Sequence, residues 1–318
     1  MWQRWQALGR FIGDHLMAIV PLGVAVGVLF PHVLMPLKPV VPTLFAFMTF
    51  QNSLSNDLGA MRVALRNPAA LIIVVAVVHL VMPLLVYAIA SIVFGPASPT
   101  TIGAVLAFSV PIGASAIMWV GMFEGELALG LSALLVSSLV SPVTIPVTIK
   151  VLLGATVEVD ALGMMGNMAY MVAIPALVAT ILNERSHGWA KHVLSPAIMP
   201  VSRVLLPLIV ATNATGISSH LLNLTPQLVS VMLLMLCFVV GGFALGMAVA
   251  HRVAGADGAR FVAVSFSCGI RNITAGAVLA AQYFGPEVLF PAIIGTPFQQ
   301  VLAAAFGKTM ERALQRRT

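Results

Sequence analysis

Residues 266–272 read Phe-Ser-Cys-Gly-Ile-Arg-Asn, and residues 108–113 read Phe-Ser-Val-Pro-Ile-Gly. Both copies fit Phe-Ser-x-Pro/Gly-Ile inside a long apolar run, and small residues and a short connector follow each. The connector is Phe123-Glu124-Gly125-Glu126-Leu127 in the first case and Phe284-Gly285-Pro286-Glu287-Val288 in the second. Pro111 removes a backbone donor and clashes with the preceding turn. Gly113 and Gly269 lower helix propensity, so both runs are expected to break near mid-membrane. The copies stand about 160 residues apart, half the chain. Interruptions paired in this way mark the binding site of transporters built from repeats; the alternative is two unrelated kinks.

The surrounding composition sets the medium. Of 318 residues, 60% are apolar and 8% charged, far from the roughly 25% charge of soluble domains. That excludes a water-soluble globule, and the apolar fraction excludes a disordered chain. Cys237 and Cys268 lie inside apolar runs, which excludes a disulfide scaffold. At roughly 20 residues per span, the apolar runs give ten: Phe11 to Phe30, Pro39 to Ser55, Ala69 to Phe94, Thr100 to Met122, Leu127 to Leu153, Leu162 to Leu182, Ala197 to Thr215, Leu228 to Ala250, Phe261 to Tyr283 and Val288 to Phe306. The first is too long for a signal peptide and lacks a small-residue cleavage site. The expected fold is an all-α polytopic membrane protein without a soluble domain.

The net charge of +6 comes from basic residues scattered in twos, which fits the positive-inside rule rather than nucleic-acid binding. With the N-terminus in the cytoplasm, the inner segments hold Arg4, Arg10, Arg62, Arg66, Arg185, Lys191, Arg252, Arg260, Lys308, Arg312, Arg316 and Arg317. The outer side holds only Lys38 and, in the last turn of the fifth span, Lys150, and Arg203 and Arg271 fall deeper within spans. This asymmetry places both termini in the cytoplasm, in a cell (inner) membrane. Five spans per half is an odd number, so residues 1–155 and 156–318 are expected to be inverted repeats with broken fourth and ninth helices.

Arg271 lies 11 residues beyond Arg260, about 16 Å along a helix, near the midplane. An arginine there costs at least about 2.5 kcal/mol, and the one acidic residue in the expected spans, Asp14, stands near the start of the first. It therefore faces a ligand or cavity, or it caps carbonyls of the broken helix. Asn272 and Thr274 follow it. Arg203, nearer a span end, is expected to extend to the headgroups. His79, beside Met82-Pro83, is expected to be a hydrogen-bonded interior histidine before a proton carrier. Gln299, Gln300, Asn167 and Asn213 are expected to bridge helices. Gly23-x-x-x-Gly27 and Gly242-x-x-x-Gly246 allow close helix contact, and Glu124, Glu126 and Glu287 read as solvated helix ends. A phosphate-binding Gly-x-x-x-x-Gly-Lys-Ser/Thr loop, His-Glu-x-x-His and Gly-x-Ser-x-Gly are all missing, so neither an ATP-driven pump nor a hydrolase is supported.

With ten spans, inverted halves and two broken helices in view, the sequence resembles the bile acid:sodium symporter family. The likeness is most specific in Pro111-Ile112-Gly113-Ala114-Ser115, Met82-Pro83, Ser141-Pro142, Gly269-Ile270-Arg271-Asn272 and Pro286-Glu287-Val288. It implies a panel domain and a core domain, the broken helices crossing in the core. It also implies an organic anion bound between the domains, with two sodium ions behind the crossing. The sodium positions depart from the family pattern. Where the family reads Glu-x-Gly-x-Gln-Asn, this chain has Ser267-Cys268-Gly269-Ile270-Arg271-Asn272. The family's Ser-Asn falls on Ala116-Ile117 and its threonine on Leu134. The oxygen ligands a hard cation requires are mostly gone, and a fixed guanidinium stands at the second ion position. Proton coupling through His79, facilitated diffusion and exchange are the alternatives to sodium. Arsenite exporters of the superfamily use a cysteine in the first broken helix, which this chain lacks.

The expectation is a secondary carrier for a small organic anion, with no cofactor and no metal site. Its candidate site is Pro111, Gly113, Ser115, His79, Ser267, Arg271, Asn272 and Thr274. A channel or non-transporting sensor on the same fold is the second reading.

Overall fold

The computed structural model describes residues 2–56, 58–65, 68–154, 160–218 and 225–315. Arg66, Arg316 and Arg317 of the charge tally, and the expected boundary at 155 and 156, lie outside them. Among the described residues every regular element is helical: α1 (Trp2–Asp14), α2 (Leu16–Leu29), α3 (Pro31–Leu34), α4 (Val41–Ser53), α5 (Leu58–Leu65), α6 (Pro68–Ala76), α7 (Met82–Phe94), α8 (Pro99–Ser109), α9 (Ser115–Met122), α10 (Leu127–Leu153), α11 (Ala161–Met168), α12 (Ile174–Arg185), α13 (Ser195–Ala214), α14 (Pro226–Val253), α15 (Gly258–Gly269), α16 (Ile273–Tyr283) and α17 (Pro286–Gln315). Seven stretches are long and apolar enough to cross a membrane: Pro31–Ser53, Pro68–Phe94, Leu127–Leu153, Ala161–Arg185, Ala190–Ile217, Pro226–Val253 and Pro286–Arg312. The molecule is a multi-pass membrane protein.

Local sequence explains where these helices start and deform. Ser98-Pro99 and Thr225-Pro226 pair an N-cap hydroxyl with proline at the first helical position. Asp160 and Asp257 cap α11 and α15 through their carboxylates. Three π turns, Val77–Val81, Ala169–Ala173 and Ala190–Leu194, each run into a helix whose second residue is proline: Pro83, Pro175 and Pro196. That proline offers no N–H to the carbonyl four residues back, and its ring clashes with the same turn. The ladder opens to π spacing instead of breaking.

The first expected span differs from expectation. The axis over Trp5–Gly13 meets the axis over Ala18–Leu29 at 85°, so residues 11–30 are not one straight helix. The polar pair Asp14-His15 sits at the joint. Both α1 and α2 pack along α13 through glycine. A Cβ on Gly9 would lie 2.8 Å from Pro200, and one on Gly23 would lie 3.0 Å from the Pro207 carbonyl; Gly27 packs equally close to Ala211. Arg203 is half-buried. It donates to the Gly9 carbonyl at 2.6 Å, an acceptor that the end of α1 supplies. Pro200 lacks the N–H that would engage the Pro196 carbonyl, and Gln6 Nε2 donates there at 3.0 Å.

Helices α1, α2, α4, α12 and α13 pack among themselves. A second group gathers α8, α14, α15, α16 and α17, with α17 in contact with both α8 and α2. In that second group α8 is buried from Thr100 to Ser109 and α15 from Phe261 to Gly269. The Glu124–Glu126 connector is not merely solvated. Glu126 Oε2 accepts from Arg260 Nε at 3.0 Å and its N–H donates to the Ala259 carbonyl at 2.9 Å, which puts the connector and the start of α15 on one side of the molecule.

Candidate functional site

The two interrupted runs meet. Residues 110–114 separate α8 from α9, and residues 270–272 separate α15 from α16. Where they cross they pair as antiparallel backbone, Ile112 opposite Arg271. The Gly113 N–H donates to the Ile270 carbonyl at 3.1 Å, and the Asn272 N–H donates to the Pro111 carbonyl at 2.8 Å. These two bonds satisfy backbone groups that no helix could have satisfied, as lipid demands. Glycine is required at 113, where an added Cβ would sit 2.8 Å from the Arg271 carbonyl oxygen.

Side chains close both outer edges of this crossing. On one edge Ser137 Oγ, from α10, accepts from the Ile112 N–H at 3.0 Å. Ser137 Oγ also lies 2.8 Å from His79 Nε2, and His79 Nδ1 lies 2.9 Å from Thr144 Oγ1. Thr144 donates to the Val140 carbonyl at 3.2 Å. Every group in this chain is matched when His79 is neutral, with Nδ1–H donating to Thr144 and the Ser137 hydroxyl donating to Nε2. His79 is thus a hydrogen-bonded interior residue. On the other edge Gln299, from α17, grips Arg271: Oε1 accepts from its N–H at 2.8 Å, and Nε2 donates to its carbonyl at 2.9 Å.

The Arg271 side chain is 2% exposed, and its Nε and both terminal nitrogens have no hydrogen-bond partner among the described residues. It caps no carbonyl of the described chain. The hydroxyls of Ser265 and Ser267 on α15 are buried and equally unmatched. Two helices begin at the crossing, α9 at Ser115 and α16 at Ile273, and neither has a side-chain cap. Their N-terminal N–H groups add positive potential to that of the guanidinium.

Of the residues expected from sequence, Pro111, Gly113, Arg271 and Asn272 come together directly. His79 joins them through Ser137. Ser115 and Thr274 lie half-buried in the first turns of α9 and α16. Ser267 is buried on α15, with no bond linking it to the crossing. Sequence ranked neither Gln299 nor Gln300. Gln300 Nε2 donates to Ser115 Oγ at 3.2 Å, while its Oε1 accepts from Trp119 Nε1 at 3.3 Å. Asn167 does bridge helices, donating to Tyr283 at 2.5 Å, whereas Asn213 Nδ2 is buried without a partner among the described residues. Ala116 and Leu134 are buried in the apolar core, and Ile117 packs against it.

An apolar cavity of about 120 Å³ separates the two helix groups, lined by Val20, Val24, Ile217, Phe290, Ile293 and Pro297. On α17 the positions 293, 297 and 300 share a stripe, so the cavity wall leads to Gln300 and from it to Ser115.

The sequence has recognisable relatives. The model of the sodium bile acid symporter family matches residues 41–224. The uncharacterized protein YbaS of Bacillus subtilis (strain 168) is 32% identical over 294 residues, covering 92% of this chain and 96% of that one. A probable chloroplastic sodium/metabolite cotransporter, BASS2 of Oryza sativa subsp. japonica, is 24% identical over 277 residues, covering 86% of this chain. A further probable chloroplastic sodium/metabolite cotransporter, BASS1 of Arabidopsis thaliana, is 24% identical over 258 residues, covering 80% of this chain. The matches span 65% and 63% of the lengths of these two plant proteins.

Proposed function

The chain belongs to the sodium bile acid symporter family, and from that premise we propose that it is a secondary carrier moving a small organic anion by alternating access, without sodium. Its family is one of transporters. The observation that carries the rest is the buried, unpartnered Arg271 guanidinium where two broken helices begin. A buried cation without a partner is strongly unfavourable unless an anion meets it, and a carboxylate can take two parallel N–H bonds from the guanidinium. Ser115, Asn272, Thr274 and Gln300 add half-buried polar groups at and beside the crossing, and the apolar cavity along α17 suits the hydrocarbon part of such an anion.

Sodium independence is inferred from the same residues. A fixed charge stands where relatives in the family recruit a mobile one, and apolar side chains fill the positions of the expected oxygen ligands. His79, matched as a neutral ring, supports facilitated diffusion or exchange over proton coupling.

For topology we propose ten spans in two inverted halves, 1–155 and 156–318, with both termini in the cytoplasm of a cell (inner) membrane. The seven continuous stretches, α2 and the two interrupted runs supply that number. Ser137 and Gln299 also occupy similar places, each on the helix that follows an interrupted run. Single cysteines at Glu124 and Glu287 should react with an impermeant reagent from opposite sides; labelling from one side would remove the inverted repeat.

Counterflow in proteoliposomes tests the function itself, using the acid that most stabilises the purified protein in a thermal-shift screen. A carrier exchanges labelled for unlabelled acid. Uptake that ignores unlabelled acid inside the vesicle would favour a channel, and no uptake would favour a sensor.

A further inference from the structure

Helix α1 carries an arrangement that transport does not use. At about 100° per residue, its positions divide into three flanks. Gln6, Gly9 and Gly13 face α13, where Gln6 donates to the Pro196 carbonyl and Gly9 packs on Pro200. A second flank holds Trp5, Leu8 and Phe11, which are 37%, 44% and 58% exposed. A third holds Ala7 and Arg10, also exposed. The helix is turned 85° from α2, the helix that leads into the body of the molecule.

Each surrounding suits one flank. The first is matched by protein. The second is apolar from Trp5 to Phe11, with an indole whose N–H already donates to the Ala197 carbonyl at 2.9 Å; Arg4 shares its stripe at the start of the helix, where a long basic side chain can reach water. The third needs water for its guanidinium. A helix wholly in hydrocarbon would strand Arg10, and a helix wholly in water would expose Leu8 and Phe11 for no gain. The one medium that offers both within a helix diameter is the boundary between lipid headgroups and acyl chains, where amphipathic helices lie with their apolar face about 5–10 Å deep.

We propose that α1 is an interfacial helix that lies along the bilayer surface and binds it through Trp5, Leu8 and Phe11. Arg10 sits on its aqueous flank, and α13 holds the helix from the protein side. The partner is the lipid surface itself. This assignment is independent of what the protein carries.

The test uses full-length protein in phosphatidylcholine vesicles. Cysteine is introduced singly at Leu8, Arg10 or Phe11 in a Cys237→Ser background, since Cys268 is buried, and labelled with an environment-sensitive fluorophore. Quenchers are placed near the headgroup, at mid-chain and in the water. The labels at 8 and 11 should be quenched most by the headgroup-level quencher, by about two-fold over the mid-chain one at the depth expected for such helices. The label at 10 should respond most to the aqueous quencher. Mid-chain quenching dominant at all three would make α1 half of a bent span and overturn the proposal; aqueous quenching dominant at all three would also overturn it. The labelled positions are exposed, so folding is not at stake, and Arg10→Leu gives a further check. It should move the label at 11 deeper if α1 lies at the boundary and leave it unchanged if α1 does not.

Discussion

The two breaks are paired to each other yet secured differently. At the first, a serine hydroxyl takes a single backbone N–H, that of Ile112, and is itself backed by His79. At the second, a carboxamide takes both the N–H and the carbonyl of Arg271. The side chains differ in the same sense. Ile112 is a buried hydrocarbon that needs only a void of its shape, while Arg271 carries a buried charge whose direction matters. A two-point grip removes the freedom of a backbone to rotate under a long side chain; a one-point grip does not. The charged break therefore carries the stricter support.

The strongest way to break this comparison is to remove the charge. Arg271→Ala should weaken binding of the screened organic acid by more than about 30-fold, as expected when one partner of a buried charged pair is lost. Monodispersity after detergent extraction should be preserved, because the guanidinium caps no described carbonyl. Arg271→Lys should also be impaired, since an ammonium cannot reproduce the planar fork. Normal folding with normal binding in Arg271→Ala would sink the role, and collapse of the protein would return the arginine to a structural one.

Next in size is the grip itself. Gln299→Leu strands a buried N–H and a buried carbonyl, and should lower stability by about 2–4 kcal/mol, read as a fall in the thermal midpoint. Ser137→Ala strands one N–H and one ring nitrogen, and should cost about 1–2 kcal/mol. Measured side by side, Gln299→Leu should be the more damaging; the reverse order would mean the first break bears more of the crossing. The smallest expected effect is that of sodium. Replacing it with potassium or choline at equal ionic strength should leave acid binding unchanged, and a steep, saturable dependence would show that backbone carbonyls suffice to hold the ion.

The sequence foretold the breaks because their cause is local. Pro111 and Gly269 change the backbone whatever surrounds them, and an arginine at midplane depth stands out in any apolar run. The long spans were legible for the same reason. What stayed hidden depends on tertiary register. Gln299 and Gln300 are adjacent, yet one holds Arg271 and the other Ser115, and nothing local tells them apart. Nothing near Arg203 in the sequence announces the acceptor it uses, the Gly9 carbonyl, which lies 194 residues away. The bend between α1 and α2 did leave a trace in Asp14-His15, which averaged hydropathy over a 20-residue run conceals.

The Ile112–Arg271 bridge also separates shape from chemistry. Its two bonds use only main-chain atoms, so the crossing keeps its form whatever side chains project from most of it. Close approach restricts residue 113 to glycine, but positions 267 and 271 carry no such limit. Substitutions at those two positions can alter the charge at the crossing without remaking the joint. A crossing tied in this way leaves most of its side chains free to vary, because the part that must not move is written in peptide groups.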